Sequence, residues 1–148
     1  MSQPILSITE SAKKVIIDHL EATFPNEGCG FFFGKLNGEE RIVTLSQPVQ
    51  NVKEGDQRRR FEIAPIDYMK AERFAIENDL DLLGVFHSHP NHPAVPSVHD
   101  LNQAVPVFSY IIASIQDGQE ADFTSWRVKS DVHEFEAETV KLLITEKR

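Results

Sequence analysis

The residues best suited to chemistry lie close together, between positions 87 and 100, in the run HSHPNHPAVPSVHD. It contains two histidines separated by a single residue, followed at short range by a Ser-x-x-Asp. Alternate residues of a β-strand point to the same side, so His87 and His89 can present two imidazoles together at a strand end. A turn and the start of a helix would then bring Asp100 to them as a third ligand.

This set of donor atoms favours a divalent metal ion. Two imidazoles and a carboxylate, without a thiolate, suit zinc and would also accept other divalent ions. Catalytic zinc sites use three protein ligands plus a water, whereas structural sites close the shell with four. The sequence predicts one zinc ion per chain, bound by His87, His89 and Asp100. The alternative of hydrogen-bonded surface histidines stays open here, because a chance His-x-His occurs in roughly one in four chains of this histidine content.

The elements that must position these residues follow from apolar runs and turn signals. Residues 82–86 form a continuous apolar run, which is typical of a strand buried on both faces, and this run leads directly into His87. Ser97 is a candidate N-cap for a short helix that contains Asp100 and ends near Ala104. The pattern also predicts a helix over residues 66–78 and strands over residues 30–36, 41–45, 60–63, 110–115 and 123–128.

The ends and turns of the chain complete this prediction. Ser7 and Glu10 form a candidate capping box for a first helix that ends near Pro25. Asn37-Gly38 and Asp117-Gly118 are hairpin turn signals, residues 48–58 read as a mobile loop, and residues 132–136 are a candidate edge strand. Helices at both ends of a sheet-rich middle predict a mixed α/β sandwich. The length of 148 residues predicts a single domain over residues 1–148.

Composition and charge exclude several classes of function. The formal net charge of -8 disfavours nucleic-acid binding, which needs a basic surface. No apolar run approaches the ~20 residues of a membrane helix, and no signal-peptide pattern opens the chain, so we expect a cytoplasmic protein. The single cysteine, Cys29, permits no internal disulfide and no two-cysteine zinc site. The basic cluster at residues 58–60 is interpreted as a solvated loop or the start of a strand.

The motif as a whole resembles the metal motif of the JAMM (MPN-domain) metalloproteases. Their usual pattern is His-x-His-Pro, a spacer, and then Ser-x-x-Asp. The family also places a glutamate upstream, just before a Cys-Gly and a hydrophobic strand, and Glu27 matches it ahead of Cys29 and Gly30. The order of helices and strands resembles the family over most of the chain. The matched positions are Glu27, His87, His89, Ser97 and Asp100.

The resemblance implies a cytidine-deaminase-like sheet flanked by helices and a zinc peptidase or isopeptidase activity. Glu27 would take the proton of the attacking water and pass it to the leaving amine. Ser97 would donate a hydrogen bond to the developing oxyanion. The alternatives are that Glu27 is a surface acid beside a glycine turn and that Ser97 only caps a helix. His92 and His99 are expected near the metal but not on it, and Cys29 is expected to be buried rather than nucleophilic.

The implied substrates are ubiquitin-like proteins cut after a C-terminal Gly-Gly. The compact chain resembles the stand-alone prokaryotic members, which are associated with ubiquitin-like sulfur-carrier proteins. Two other functions stay open: a non-catalytic MPN-type scaffold that binds proteins, and a DNA-repair-associated branch of the same fold. No oligomeric state is predicted.

Overall fold

A computed structural model describes residues 3–129 and 131–144. Within these residues the chain forms seven strands and three helices. In chain order they are β1 (Ile5–Thr9), α1 (Glu10–Thr23), β2 (Cys29–Asn37), β3 (Glu40–Val49), α2 (Pro65–Glu77), β4 (Asp81–Pro90), α3 (Val98–Gln103), β5 (Ser109–Gln116), β6 (Gln119–Val128) and β7 (Phe135–Leu143).

The seven strands form one closed sheet in the order β1-β3-β2-β4-β5-β6-β7, in which β7 also pairs with β1. Strand β4 lies between an antiparallel neighbour, β2, and a parallel neighbour, β5. Because of this central position β4 is buried on both faces, as its apolar run predicts. A Cβ on Gly84 of this strand would lie 1.8 Å from the carbonyl oxygen of Ser109 on β5, so only glycine permits the close approach.

Helices cover both faces of the central strands, which confirms the mixed α/β fold class, although the strands close into one sheet rather than form a sandwich. On one face α1 packs through Ile16 and Leu20 against Phe32 and Phe86, the side chains of β2 and β4 that point that way. On the other face α2 packs against a second cluster. That cluster includes Ala71, Ala75, Phe31, Phe33 and Val85. The alternation of side chains along β2 and β4 therefore divides the core into two layers.

The first helix begins later than the candidate capping box predicts. Ser7 lies inside β1, which pairs in parallel with β3 and β7. Thr9 is the N-cap of α1, and its Oγ1 accepts the N–H of Ala12 at 3.2 Å. The prediction for Ser7 was wrong because β1 is paired only with strands remote in sequence, which no local pattern reveals.

Two further predictions need correction. Residues 60–63 form no strand, because Phe61 and Ile63 are anchored by burial of their side chains rather than by a ladder of hydrogen bonds. The chain does not end in a helix or an edge strand within the described residues. Strand β7 begins at Phe135, and its pairing with both β6 and β1 closes the sheet.

Both predicted hairpin turns are present, and the first lies one residue further along the chain than predicted. Asn37 pairs with Glu40, so the turn residues are Gly38 and Glu39, with Gly38 at a φ of 64°. The turn between β5 and β6 is Asp117-Gly118, with φ angles of 49° and 89°, and such positive angles favour Asp and Gly. None of the helices in the described residues combines the length and apolar character needed to cross a bilayer.

Candidate metal centre

The carboxyl end of β4 presents the two predicted histidines on one side. Val85 of this strand packs in the α2-facing cluster, and His87 and His89 follow it at alternate positions. Both imidazoles are buried, with 1% and 9% of the residue exposed, and their ring centroids lie 5.1 Å apart. The predicted same-side arrangement is confirmed.

Helix α3 brings Asp100 to the histidines. Ser97 is the N-cap of this helix, and its Oγ accepts the N–H of Asp100 at 3.0 Å. In return the N–H of Ser97 donates to Oδ2 of Asp100 at 2.9 Å, which completes a capping box. The box fixes the carboxylate, so Oδ1 lies 3.4 Å from Nε2 of His87 and Oδ2 lies 3.1 Å from Nε2 of His89.

The hydrogen bonds around the imidazoles fit a zinc ion. One ligand atom from each of His87, His89 and Asp100 lies within 4.8 Å of the others. Nδ1 of His89 is 2.8 Å from the carbonyl oxygen of Pro93, so an N–H there leaves the lone pair of Nε2 directed at the site. Both ring nitrogens of His87 are buried without a hydrogen-bond partner. A buried unpaired nitrogen is costly, and a metal ion would satisfy one of them.

The ring of Phe61 packs against the imidazole of His87. The two rings are stacked, with centroids 4.6 Å apart and planes inclined by 24°. Phe61 is buried although it belongs to a polar segment between β3 and α2. Sequence reasoning missed this contact, and the one available signal was an aromatic residue within a polar, turn-rich stretch.

Glu27 reaches the same site from the start of β2. Cys29 of β2 lies opposite His87, and continuing this antiparallel register by two residues brings Glu27 beside His89. Glu27 is 6% exposed and lines a cavity of about 520 Å³ together with His89, Ser97 and Asp100. The loops that follow β3 and β4 contribute Arg59, Arg60, Pro93 and Val95 to its lining.

The two carboxyl groups of the metal-free site have pKa values that are shifted in opposite directions. Burial raises the pKa of this carboxyl to about 8; His89 and Arg60 act against that shift, and Asp100 adds to it. Burial also opposes ionisation of Asp100, but the adjacent imidazoles of His87 and His89 outweigh it and lower the pKa of Asp100. One carboxyl is thus held ionised while the other titrates near neutral pH, which suits two different roles.

The remaining candidates lie where the sequence predicts. His92 lines the cavity and His99 sits on α3, but neither belongs to the group of ligand atoms. Cys29 is fully buried, and burial raises the pKa of its thiol to about 12. A thiol with so high a pKa has little thiolate at neutral pH, so Cys29 is not suited to act as a nucleophile.

The family described as prokaryotic homologs of the JAB domain, Prok-JAB, matches residues 9–129. The chain belongs to this family. The resemblance to the JAMM metalloproteases is thereby confirmed, and the matched range spans all five residues of the predicted site.

The chain is also similar to three proteins whose names state an activity. The chain is 29% identical over 102 residues to a desampylase of Pyrococcus furiosus, and the match covers 68% of this chain and 65% of the relative. It is 30% identical over 119 residues to a desampylase of Haloferax volcanii, which covers 77% of this chain and 84% of the relative. A probable TtuB-protein conjugate cleaving protease of Thermus thermophilus is 32% identical, and the match covers 64% of this chain and 60% of the relative. The chain thus spans about two thirds of the length of the Pyrococcus relative.

Two solved structures of similar fold each cover more than nine tenths of this chain. A Desulfitobacterium hafniense protein solved in solution superposes with a TM-score of 0.82 and 28% identity, covering 95% of this chain and 94% of the other. A JAB1/MPN domain protein from Archaeoglobus fulgidus has a TM-score of 0.59 at 16% identity, and the superposition covers 93% of this chain and 98% of the other. The second likeness shows the fold, which is the JAB1/MPN type.

Proposed function

We propose that this chain is a zinc-dependent peptidase or isopeptidase that cuts after the C-terminal Gly-Gly of a ubiquitin-like or sulfur-carrier protein. The observation that carries the proposal is that Glu27, His89, Ser97 and Asp100 line one cavity, with His87 directly beside Asp100. The names of the relatives support the substrate class, since two are desampylases and one is named as cleaving TtuB-protein conjugates.

Each side chain has a defined task in this proposal. A zinc ion held by His87, His89 and Asp100 would lower the pKa of a water and polarise the carbonyl that is attacked. Glu27 lines the same cavity, where its carboxylate accepts a proton from water and returns it to the leaving amine. The Oγ of Ser97 accepts a backbone N–H, so its own hydroxyl proton is free to be donated to the oxyanion.

The residues that line the cavity support the proposal that the substrate tail is slender. Pro93 and Val95 contribute apolar surface to the lining, and Arg59 and Arg60 contribute positive charge. Glycine has no side chain, so a Gly-Gly tail lets the substrate backbone approach a deeply placed carboxylate such as Glu27. The two arginines would also favour a carrier with an acidic surface.

Cleavage of an extended carrier tests the proposal. The substrate is a ubiquitin-like carrier whose Gly-Gly is followed by a short peptide, incubated with the zinc-loaded protein and analysed by mass spectrometry. We expect one product that ends in Gly-Gly. The variant Glu27→Gln should bind zinc normally and lose about 10²–10⁴-fold in rate. Full activity of Glu27→Gln would exclude Glu27 as the base, and equal cleavage of a tail with a bulky last residue would exclude the narrow cavity.

The two other functions are less well supported. A non-catalytic scaffold has no need for a buried, unpaired His87 beside an ionised Asp100. A DNA-repair role is disfavoured by the net charge of -8. We also propose a cytoplasmic location, which is supported by the lone Cys29, since single thiols suit a reducing compartment.

A further inference from the structure

The segment between β3 and α2, residues 50–64, contains no strand or helix. Its conformation depends on side chains, and half-buried Asn51 is the central one. The amide of Asn51 satisfies all of its hydrogen-bonding groups within the protein. Its Oδ1 accepts the N–H groups of Lys53 and Glu62 at 3.0 and 3.1 Å, and its Nδ2 donates to the carbonyl oxygens of Glu27 and Arg60 at 2.9 and 3.1 Å.

The same segment also holds the other polar group of the Glu27 main chain. The N–H of Glu27 donates to the carbonyl oxygen of Gln57 at 2.7 Å. The side chain of Gln57 turns back and donates to the carbonyl oxygens of Asn51 and Lys53 at 3.1 and 2.9 Å. Both main-chain hydrogen-bonding groups of Glu27 therefore end in one small network that Asn51 and Gln57 hold together.

We propose that Asn51 is a positioning residue that orients the carboxylate of Glu27 through the main chain. Hydrogen bonds on both sides of the Cα of Glu27 fix the two flanking peptide planes, and these planes set the direction of its side chain. Catalytic groups must be held within about 0.5 Å of their productive geometry. The inference rests on the proposed role of Glu27 as the general base.

The nearly isosteric variant Asn51→Asp separates two functions of this amide. A carboxylate keeps the acceptor that holds Lys53 and Glu62, so two of the four hydrogen bonds of this side chain are retained. It replaces the Nδ2 donor by an oxygen that faces the carbonyl oxygens of Glu27 and Arg60, which turns two attractions into repulsions. We expect kcat to fall about 10²-fold, the loss typical of a misplaced catalytic group, while KM changes much less.

Asn78→Asp is the matched control. The Nδ2 of Asn78 donates to the carbonyl oxygen of Phe74 at 2.8 Å at the exposed end of α2, so this variant also loses an amide-to-carbonyl bond. It has no link to Glu27, and we expect an unchanged kcat. Equal losses of kcat in both variants, or an unchanged kcat in Asn51→Asp, would overturn the inference.

Two readouts do not depend on turnover. In Asn51→Asp the amide hydrogen of Glu27 should exchange with solvent faster, whereas the zinc affinity should stay at the wild-type value, because His87, His89 and Asp100 are held by other contacts. In the wild-type protein hydrogen exchange should give the same free energy of opening for the amides of Glu27, Lys53 and Glu62. Much slower exchange at Glu27 than at the other two would contradict the network without the use of any variant.

The result for Glu27→Gln distinguishes this inference from the proposed function. If Glu27→Gln is inactive while Asn51→Asp is fully active, the general base stands and the positioning role of Asn51 fails. If Glu27→Gln is fully active, the general base itself fails, and the inference fails with it.

Discussion

Ser88 and Gly28 are joined by two hydrogen bonds. The N–H of Gly28 donates to Oγ of Ser88 at 2.9 Å, and the N–H of Ser88 donates to the carbonyl oxygen of Gly28 at 3.2 Å. Ser88 lies between His87 and His89 but points to the opposite face of β4 and is fully buried. Gly28 directly follows Glu27. The pair therefore sets the distance between the candidate general base and the strand that carries two candidate metal ligands.

This relationship predicts the behaviour of Ser88→Ala. The N–H of Gly28 would lose its partner, and an unsatisfied buried donor costs about 1–3 kcal/mol of the free energy of unfolding. Because the bond that is lost fixes Glu27 relative to the strand of the candidate metal ligands, we expect the rate to fall about 10²-fold. Zinc should still bind at one per chain. Steady-state kinetics, metal analysis and urea denaturation together measure these effects.

Ser46→Ala is the control for stability. Ser46 is also buried, and its hydroxyl donates to the carbonyl oxygen of Ala12 at 2.8 Å, so the variant loses a comparable bond between β3 and α1. It should lose stability without losing rate. A normal rate in Ser88→Ala would show that Glu27 is positioned without Ser88.

Much of the site is readable from the sequence because its parts are local. The alternation of His87 and His89 follows from strand geometry, and the spacing from Ser97 to Asp100 is that of a capping box. These patterns need no knowledge of the rest of the fold. The same holds for β4, whose continuous apolar run indicates burial on both faces.

The supporting residues could not be predicted because their partners are distant in sequence. Asn51 contacts Glu27 across 24 positions, and Ser88 contacts Gly28 across 60. A polar residue in a turn-rich stretch looks like a solvated one until the fold brings its partner to it. The position of Ser7 in β1 escaped prediction for the same reason, since its strand pairs with β3 and β7 from remote parts of the chain.

The candidate metal ligands predict that the affinity for zinc depends on pH. Burial lowers the pKa of His89, but the adjacent Asp100 and the carbonyl of Pro93 outweigh it and raise that pKa above its usual value. Protons therefore compete with zinc at His89 as pH falls, whereas Asp100, with a lowered pKa, stays ionised. We expect zinc affinity, measured by competition with a chelator, to fall from about pH 8 to about pH 5.

His89→Ala should abolish stoichiometric zinc binding. His92→Ala is the matched control, since His92 lines the same cavity outside the ligand group and its loss should leave the metal content unchanged. Equal zinc content in His89→Ala and the wild type would remove His89 from the ligand set.

Ser97 has a structural and a chemical task, and two variants test whether its hydroxyl is needed for them. Ser97→Thr keeps a hydroxyl that can cap α3 and donate into the cavity, so we expect near-normal activity. Ser97→Ala should lose about 10²–10³-fold in rate if the hydroxyl stabilises the oxyanion. It should also lose about 1 kcal/mol of stability as a missing N-cap.

Thr9→Ala controls for the cap alone. Thr9 caps α1 in the same way, far along the chain from the site, so its loss should lower stability by a similar amount and leave the rate unchanged. A Ser97→Ala variant that loses stability but keeps its rate would reduce Ser97 to a helix cap.

The raised pKa of Glu27 predicts how the stability of the metal-free protein depends on pH. The carboxyl ionises near 4.5 in the unfolded chain and near 8 in the folded one. Between these values the unfolded state releases a proton that the folded state retains, so the free energy of unfolding falls as pH rises. The slope from this one group is at most about 1.4 kcal/mol per pH unit, and it vanishes below and above the window.

Glu27→Gln should remove that slope. The glutamine does not ionise, so the metal-free variant should be more stable than the wild type by an amount that grows from about pH 5 to about pH 8. Urea denaturation in the presence of a chelator measures the difference at several pH values. Glu72→Gln, at an exposed position on α2, serves as the control and should follow the wild-type profile. Parallel profiles for Glu27→Gln and the wild type would show that burial does not hold the proton on Glu27 in the metal-free protein.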